Sequence, residues 1–266
     1  MNKLFIYFFL ITPLFALSDS IIEQELQDAL KERKLLDEKI KLLKSKLPKK
    51  KKKNVFITHT EFGYIKTGGN TDTDTFNLDV EIKKNWGKHI AKFHIDAQYA
   101  EDKGIKSKNK YLLELEYNYD LTSNVSLDYI IGYRDDEFST YDYQFYTGPG
   151  LSYKLIEDTK QNLKLNANML FSQDKIETTR NYLSFRSKLL YDYNILKNLT
   201  FKQTISYRTE VQDNKNYFVY LKSSLSTKLS EIFSAGLSYK YDYVSLLAED
   251  KVHNDDTLTI NLIIDY

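Results

Sequence analysis

The side chains best suited to chemistry are the four histidines, His59, His89, His94 and His253. No two stand four apart as paired ligands on a helix, and no HExxH spacing is present. Cysteine is absent, which excludes thiol nucleophiles, thiolate zinc sites and disulfides. His94 lies two residues from both Lys92 and Asp96. On a strand these three share a face, and a His–Asp pair is the orienting half of a hydrolytic triad. No serine in a strained elbow accompanies it, and a two-residue spacing is ordinary for polar side chains lining a wet interior. Asn70, Asp72 and Asp74 resemble a calcium loop only faintly, lacking its glycine and distal glutamate, and read as a solvated turn. Gly148-Pro149-Gly150 has no helix after it to form a phosphate cradle and reads instead as a bend or bulge in a strand. The residues therefore point to no catalytic, cofactor or metal site.

Charge placement is more informative. With strict alternation along each strand, Asp79, Glu81, Asp96, Glu114, Glu116, Asp120, Asp128 and Asp142 fall on one interior wall. Lys164, Arg186, Lys188, Lys202, Arg208, Lys222, Lys228 and Lys240 fall on the opposite wall. Lys83, Lys92, Arg134 and Lys154 break the pattern on the acidic side, and Asp192 and Asp242 break it on the basic side. Acidic and basic walls facing each other across water set a transverse field suited to small polar or zwitterionic solutes. The same charges pairing across a small barrel would instead fill and close it. Strand number does not decide between the two outcomes, because about twelve strands lie between filled eight-stranded barrels and open sixteen-stranded porins.

Those walls need strands. From Val55 onward the hydropathy period is two: Leu258, Ile260, Leu262, Ile264 and Tyr266 alternate with Thr257, Thr259, Asn261, Ile263 and Asp265. Phe76 to Ile82, Ala91 to Tyr99, Tyr111 to Tyr119 and Phe233 to Tyr243 alternate in the same way. About twelve such runs are expected, near 55–67, 73–85, 88–101, 108–120, 124–135, 141–155, 161–172, 180–193, 197–209, 215–228, 231–244 and 256–266, with turn residues such as Asp102-Lys103-Gly104 between them. Runs this long exceed the roughly five or six residues of soluble strands and suit a tilted membrane crossing. The 22 Tyr and 15 Phe favour strands, and pairs such as Tyr117/Tyr119, Tyr141/Tyr143 and Tyr191/Tyr193 sit near strand ends, where aromatic girdles lie. A soluble β-sandwich would use shorter strands and more than the 3 prolines present. The expected fold is an all-β, transmembrane, antiparallel up-and-down barrel. A formal charge of +1 offers no field for nucleic acid.

The chain opens with Lys3, an apolar run from Leu4 to Phe15, and Ala16-Leu17-Ser18, the three-part form of a signal peptide cleaved near Ser18. The expected divisions are 1–18 signal peptide, 19–48 helix, 49–54 lysine linker and 55–266 barrel. Within 20–47, Ser20 and Glu23 fit a capping box. Ile22, Leu26, Ala29, Leu36, Ile40, Leu43 and Leu47 form a heptad stripe interrupted by Arg33. Such a helix either oligomerises or docks to a periplasmic partner, or it lies against the barrel mouth or membrane. Lys49 to Lys53 read as a solvated spacer that could also touch anionic headgroups.

The segment Gly63-Tyr64-Ile65-Lys66-Thr67-Gly68-Gly69-Asn70-Thr71 resembles the opening of domain-of-unknown-function family 481, labelled as salt-induced outer-membrane proteins. The resemblance covers roughly 55 to 266 and implies an outer-membrane barrel without an established reaction. The terminal Tyr266 resembles the signal read by barrel-assembly machinery, where many such proteins carry Phe. The functional expectation is a narrow passive channel in outer-membrane lipid, with a closed barrel acting through helix 20–47 as the alternative and no enzyme activity.

Overall fold

A computed structural model describes residues 22–40, 55–67, 72–248 and 251–266. The chain divides into two units, Met1–Lys51 and Lys52–Tyr266. In the first, residues 22–40 form helix α1, on which Asp28 and Lys31 pair at 3.1 Å one turn apart. Its apolar stripe is exposed, with Ile22 60% and Leu36 53% accessible. The expected leader, the helix ends at 20–21 and 41–47, and the lysine linker lie outside the described residues.

The second unit is a closed antiparallel barrel of twelve strands, each beside its neighbours in sequence, with β1 returning to β12. The strands are β1 (Val55–Thr67), β2 (Thr73–Trp86), β3 (His89–Asp102), β4 (Ile105–Asp120), β5 (Val125–Asp136), β6 (Tyr143–Glu157), β7 (Gln161–Lys175), β8 (Thr179–Leu196), β9 (Leu199–Glu210), β10 (Tyr217–Lys228), β11 (Phe233–Val244) and β12 (Asn254–Asp265). The end carrying the barrel's own termini is called proximal here and the other end distal.

Alternation sorts the two faces. Outside, Leu113, Leu115, Leu127, Ile131, Phe171, Leu183, Leu237 and Leu262 are all more than a third exposed. Inside, the buried set is largely Asp, Glu, Asn, Ser, Lys and Arg. An apolar outside around a polar inside suits a barrel solvated by hydrocarbon. Rows of stacked rings mark its rims: Tyr111, Tyr133 and Tyr143 at 6.2 and 6.0 Å, Tyr217 and Tyr243 at 5.6 Å, and proximally Trp86 on His89 at 5.7 Å and Tyr191 on Tyr193 at 6.1 Å. Tyr141 departs from this expectation, as shown below.

Lys103 and Gly104 both have positive φ (51° and 76°) and form the two-residue turn that matches strand twist between β3 and β4. The Gly148-Pro149-Gly150 segment makes no bulge. Strand β6 runs through it, and its register with β7 is the same on both sides, Thr147 opposite Phe171 and Gly150 opposite Asn168. The glycines serve close approach instead: a Cβ on Gly148 would lie 2.2 Å from the Met169 carbonyl oxygen. The irregularity in this pairing falls later, between Lys154 and Ile156.

The seam is short. β1 pairs with β2 along its whole length, Val55 to Thr67, but its ladder with β12 covers only His59 to Phe62. Two further bonds join Thr58 and Tyr266, at 2.6 and 3.0 Å. Gly63 marks where the seam ends, its Cβ position 2.8 Å from Asn261 Oδ1.

Candidate functional site: the charged bore

The bore is built by side chains at every second position of all twelve strands, so its composition follows from register. On β4, Glu114 and Glu116 are 4% and 7% exposed. Across the bore on β8, Arg186 Nη1 lies 3.3 Å from Glu114, and Lys188 Nζ lies 3.1 Å from Glu116 and 3.5 Å from Glu114. On β10, Lys222 bridges Glu61 of β1 and Asp79 of β2 at 2.9 and 2.8 Å. On β11, Lys240 reaches Asp96 of β3 at 2.5 Å and Asp79 at 3.3 Å. Nearer the distal mouth the polarity reverses. Lys110 of β4 and Arg134 of β5 hold Asp242 of β11 at 2.8 and 2.9 Å, and Lys110 also holds Asp255 at 2.7 Å. β5 and β11 lie six strands apart in a ring of twelve, so the Arg134–Asp242 pair joins opposite walls. Most of these contacts are charged hydrogen bonds, the Arg186 Nη1–Glu114 ion pair excepted, and each gives a buried charge the partner without which its burial would be costly.

A central pillar accompanies the pairs. Tyr146 of β6 projects into the bore and donates its hydroxyl to Glu114 Oε1 at 2.5 Å. Its ring carries the guanidinium carbons of Arg208 and Arg186 at 4.6 and 5.8 Å from the centroid. Tyr146 packs with Ile130 and Leu170 in a small apolar cluster inside the wall. Gly132 makes room for it, since a Cβ there would lie 2.2 Å from the Tyr146 ring.

The β5–β6 connection folds inward at the distal mouth. Tyr141 is only 2% exposed, donates to Asn216 Oδ1 at 3.1 Å and packs edge-on against Phe218 at 5.3 Å. Thr140 Oγ1 accepts from the backbone N–H of Ala248 at 3.2 Å. Three distal connections thus meet over the bore. Tyr141 belongs to this contact and not to a lipid-facing girdle, which corrects the expectation from its position. In the same connection the Lys106 ammonium holds the exposed Glu137 carboxyl below the ordinary range, with Asn109 donating a second hydrogen bond. At a proximal turn the Asp158 carboxyl is likewise held down by the N–H groups of Gln161 and Lys160.

Among the interior residues expected from sequence, Asp79, Glu81, Lys92, His94, Asp96, Glu114, Glu116, Arg186, Lys188, Lys222 and Lys240 meet in one network of charges. Asp128 faces inward but is hydrogen-bonded to Asn168 and Ser152, not to a cation. Lys202 lies exposed toward the proximal end, and Arg208 lies against the rings of Tyr146 and Phe218 with no carboxylate oxygen within 4 Å among the described residues. Two expectations are corrected. Asp142 is not in the bore: β6 starts at Tyr143, and Asp142 pairs outside with Lys175 at 3.0 Å. Lys228 is exposed at the end of β10. Glu61, Lys110 and Tyr146 were missed, although Glu61 shares the parity of His59 on β1 and Lys110 that of Glu114 on β4. Asp242, read as an exception, anchors the distal pairs.

Asp79, His94 and Asp96 bring three ligand-type atoms within 4.8 Å of one another. Lys222 and Lys240 already press their ammonium groups onto these carboxylates, so the donor set does not fit a further cation. Both His94 ring nitrogens face carboxylates, Asp79 at 3.2 Å and Glu114 at 3.8 Å, and neither faces a hydroxyl nucleophile among the described residues. The remaining space between the walls is a cavity of about 360 Å³.

No curated protein matches the chain in sequence. Solved structures with a similar fold include the NanC porin, at 12% identity over 79% of this chain and 97% of that one, with a TM-score of 0.45. A COG4313 outer membrane channel from Pseudomonas putida F1 is similar at 8% identity over 82% and 99% of the two chains, with a TM-score of 0.48. The translocator domain of autotransporter NalP from Neisseria meningitidis is similar at 9% identity over 88% and 95%, with a TM-score of 0.41. The family described as "Protein of unknown function, DUF481" matches residues 60–266, and the chain belongs to it.

Proposed function

We propose that this protein is an outer-membrane barrel working as a narrow passive channel for small polar or zwitterionic solutes, with its proximal end in the periplasm. One observation carries the reading. The acidic wall of β1 to β4 faces the basic wall of β8 to β11 around a cavity of about 360 Å³, and the two are joined by charge pairs at 2.5 to 3.5 Å. A solute bearing both charges can replace such a pair end for end, keeping each buried charge satisfied as it passes. A single ion or a neutral molecule leaves one wall unmatched. No chemistry is assigned to the bore, and the C-terminal strand ending in Tyr266 would serve recognition by the assembly machinery.

The pairs that join opposite walls, Arg134–Asp242 above all, favour a second reading: a closed barrel that acts through helix 20–47, by self-association or by holding a periplasmic partner. Single-channel current in a planar bilayer separates the two. Discrete steps are expected from refolded protein, and they should persist when residues 19–53 are deleted. Lys164 and Lys202 have no carboxylate within 4 Å among the described residues. Changing both to Glu should therefore shift selectivity toward cations without breaking a pair. A silent bilayer, with the barrel shown to be folded and inserted by heat-modifiable gel mobility, refutes the channel.

A further inference from the structure

Five buried cationic side chains face the bore among the described residues: Lys110, Arg186, Lys188, Arg208 and Lys240. Four of them have a carboxylate oxygen within 4 Å. Arg208 does not. It is 7% exposed, and its buried Nη1 has no hydrogen-bond partner. Its guanidinium lies 4.4 Å from the ring centre of Phe218, its register partner on β10, and 4.6 Å from that of Tyr146. Ring faces stabilise the charge but accept none of its in-plane N–H groups. Asp174 on β7 acts on Arg208 only from beyond ion-pair distance: one of its carboxylate oxygens accepts the Tyr182 hydroxyl, and the other is buried without a hydrogen-bond partner.

The surroundings favour an anion. Arg186 sits directly beside Arg208 in the β8–β9 ladder. Ten basic and eight acidic side chains line the cavity. A guanidinium covered on its faces still offers its edge, and that flat fork of donors matches a planar carboxylate.

We propose that Arg208 is a binding subsite for the carboxylate of a small solute, with Arg186 as its second donor. This deepens the channel reading by naming the charged group of the solute, and the cavity's 360 Å³ limits that solute to a small molecule. Occupation of the subsite does not require an open bore, so binding and conduction can fail separately.

The test uses the refolded full chain in detergent micelles and acetate as the probe, with affinity read by saturation-transfer NMR. Acetate should receive saturation from the wild-type barrel, while methylammonium should not. Arg208→Gln should weaken acetate roughly tenfold or more, and Arg208→Lys, which keeps the charge but loses the fork, should fall between. No transfer to acetate in folded wild-type protein overturns the subsite, and so does unchanged affinity in Arg208→Gln. Sulfate competing as well as formate overturns its preference for a planar anion. If Arg208→Gln lacks the gel shift of a folded barrel, Arg208→Lys decides, and unchanged acetate affinity there overturns the proposal. Acetate binding with a silent bilayer refutes the channel and keeps the subsite, whereas conduction without acetate binding does the reverse.

Discussion

Replacing Gly132 with alanine would put a methyl carbon 2.2 Å from Cε2 and Cζ of Tyr146 and 2.6 Å from its hydroxyl oxygen. Those distances are well inside van der Waals contact, so the ring or the β5 backbone must move. The ring has little freedom. It packs on Ile130 and Leu170, carries two guanidinium groups and donates to a buried carboxylate at 2.5 Å. Overpacking of this kind costs about 1–3 kcal/mol. Losing the hydrogen bond to Glu114 adds about 1.5–3 kcal/mol, offset by the roughly 0.5–1 kcal/mol that alanine gains over glycine in a strand. The expected net destabilisation is about 2–5 kcal/mol, measured by urea unfolding of the barrel in lipid vesicles. The mechanism predicts strong non-additivity. In a Tyr146→Leu background, where the clashing atoms are gone, Gly132→Ala should cost less than about 1 kcal/mol. Wild-type-like stability of the single variant, or additive costs in the pair, would refute Tyr146 as a fixed pillar.

Lys222→Met should destabilise the barrel by about 3–5 kcal/mol in the same assay, because Glu61 and Asp79 would remain as buried carboxylates deprived of a shared cation. A carbon-detected titration of Glu137 should show its carboxyl protonating below the ordinary glutamate range, and Lys106→Gln should raise it. Since the folded value is the depressed one, the stabilisation from this pair is present above the unfolded pKa and is lost as pH falls through the folded value.

Local sequence carried the strands because a lipid-facing side chain and a bore-facing side chain differ in type from one position to the next, as in Leu258 to Leu262. It also carried turns such as Lys103-Gly104, whose positive φ values call for that chemistry. The wall charges were legible by parity for the same reason. Their partners were not: Lys110 and Asp242 are 132 residues apart, and only barrel closure brings them together. Gly148 and Gly150 looked like a bend because the atoms that require them belong to β7. Asp142 and Tyr141 were misplaced because β6 begins only at Tyr143, and nothing local shows a connection turning into the bore.

The brevity of the β1–β12 ladder has a kinetic consequence. Each other junction must break a ladder of eleven or more residue pairs, while this one has four pairs and the Thr58–Tyr266 bonds. Local opening follows the weakest cooperative unit. Strand β12 is therefore the one to peel first, and amides near Gly63 on the distal side of the seam should exchange ahead of every other wall. The ring comes apart where the chain joined it, so the last bonds made in closure are the first lost.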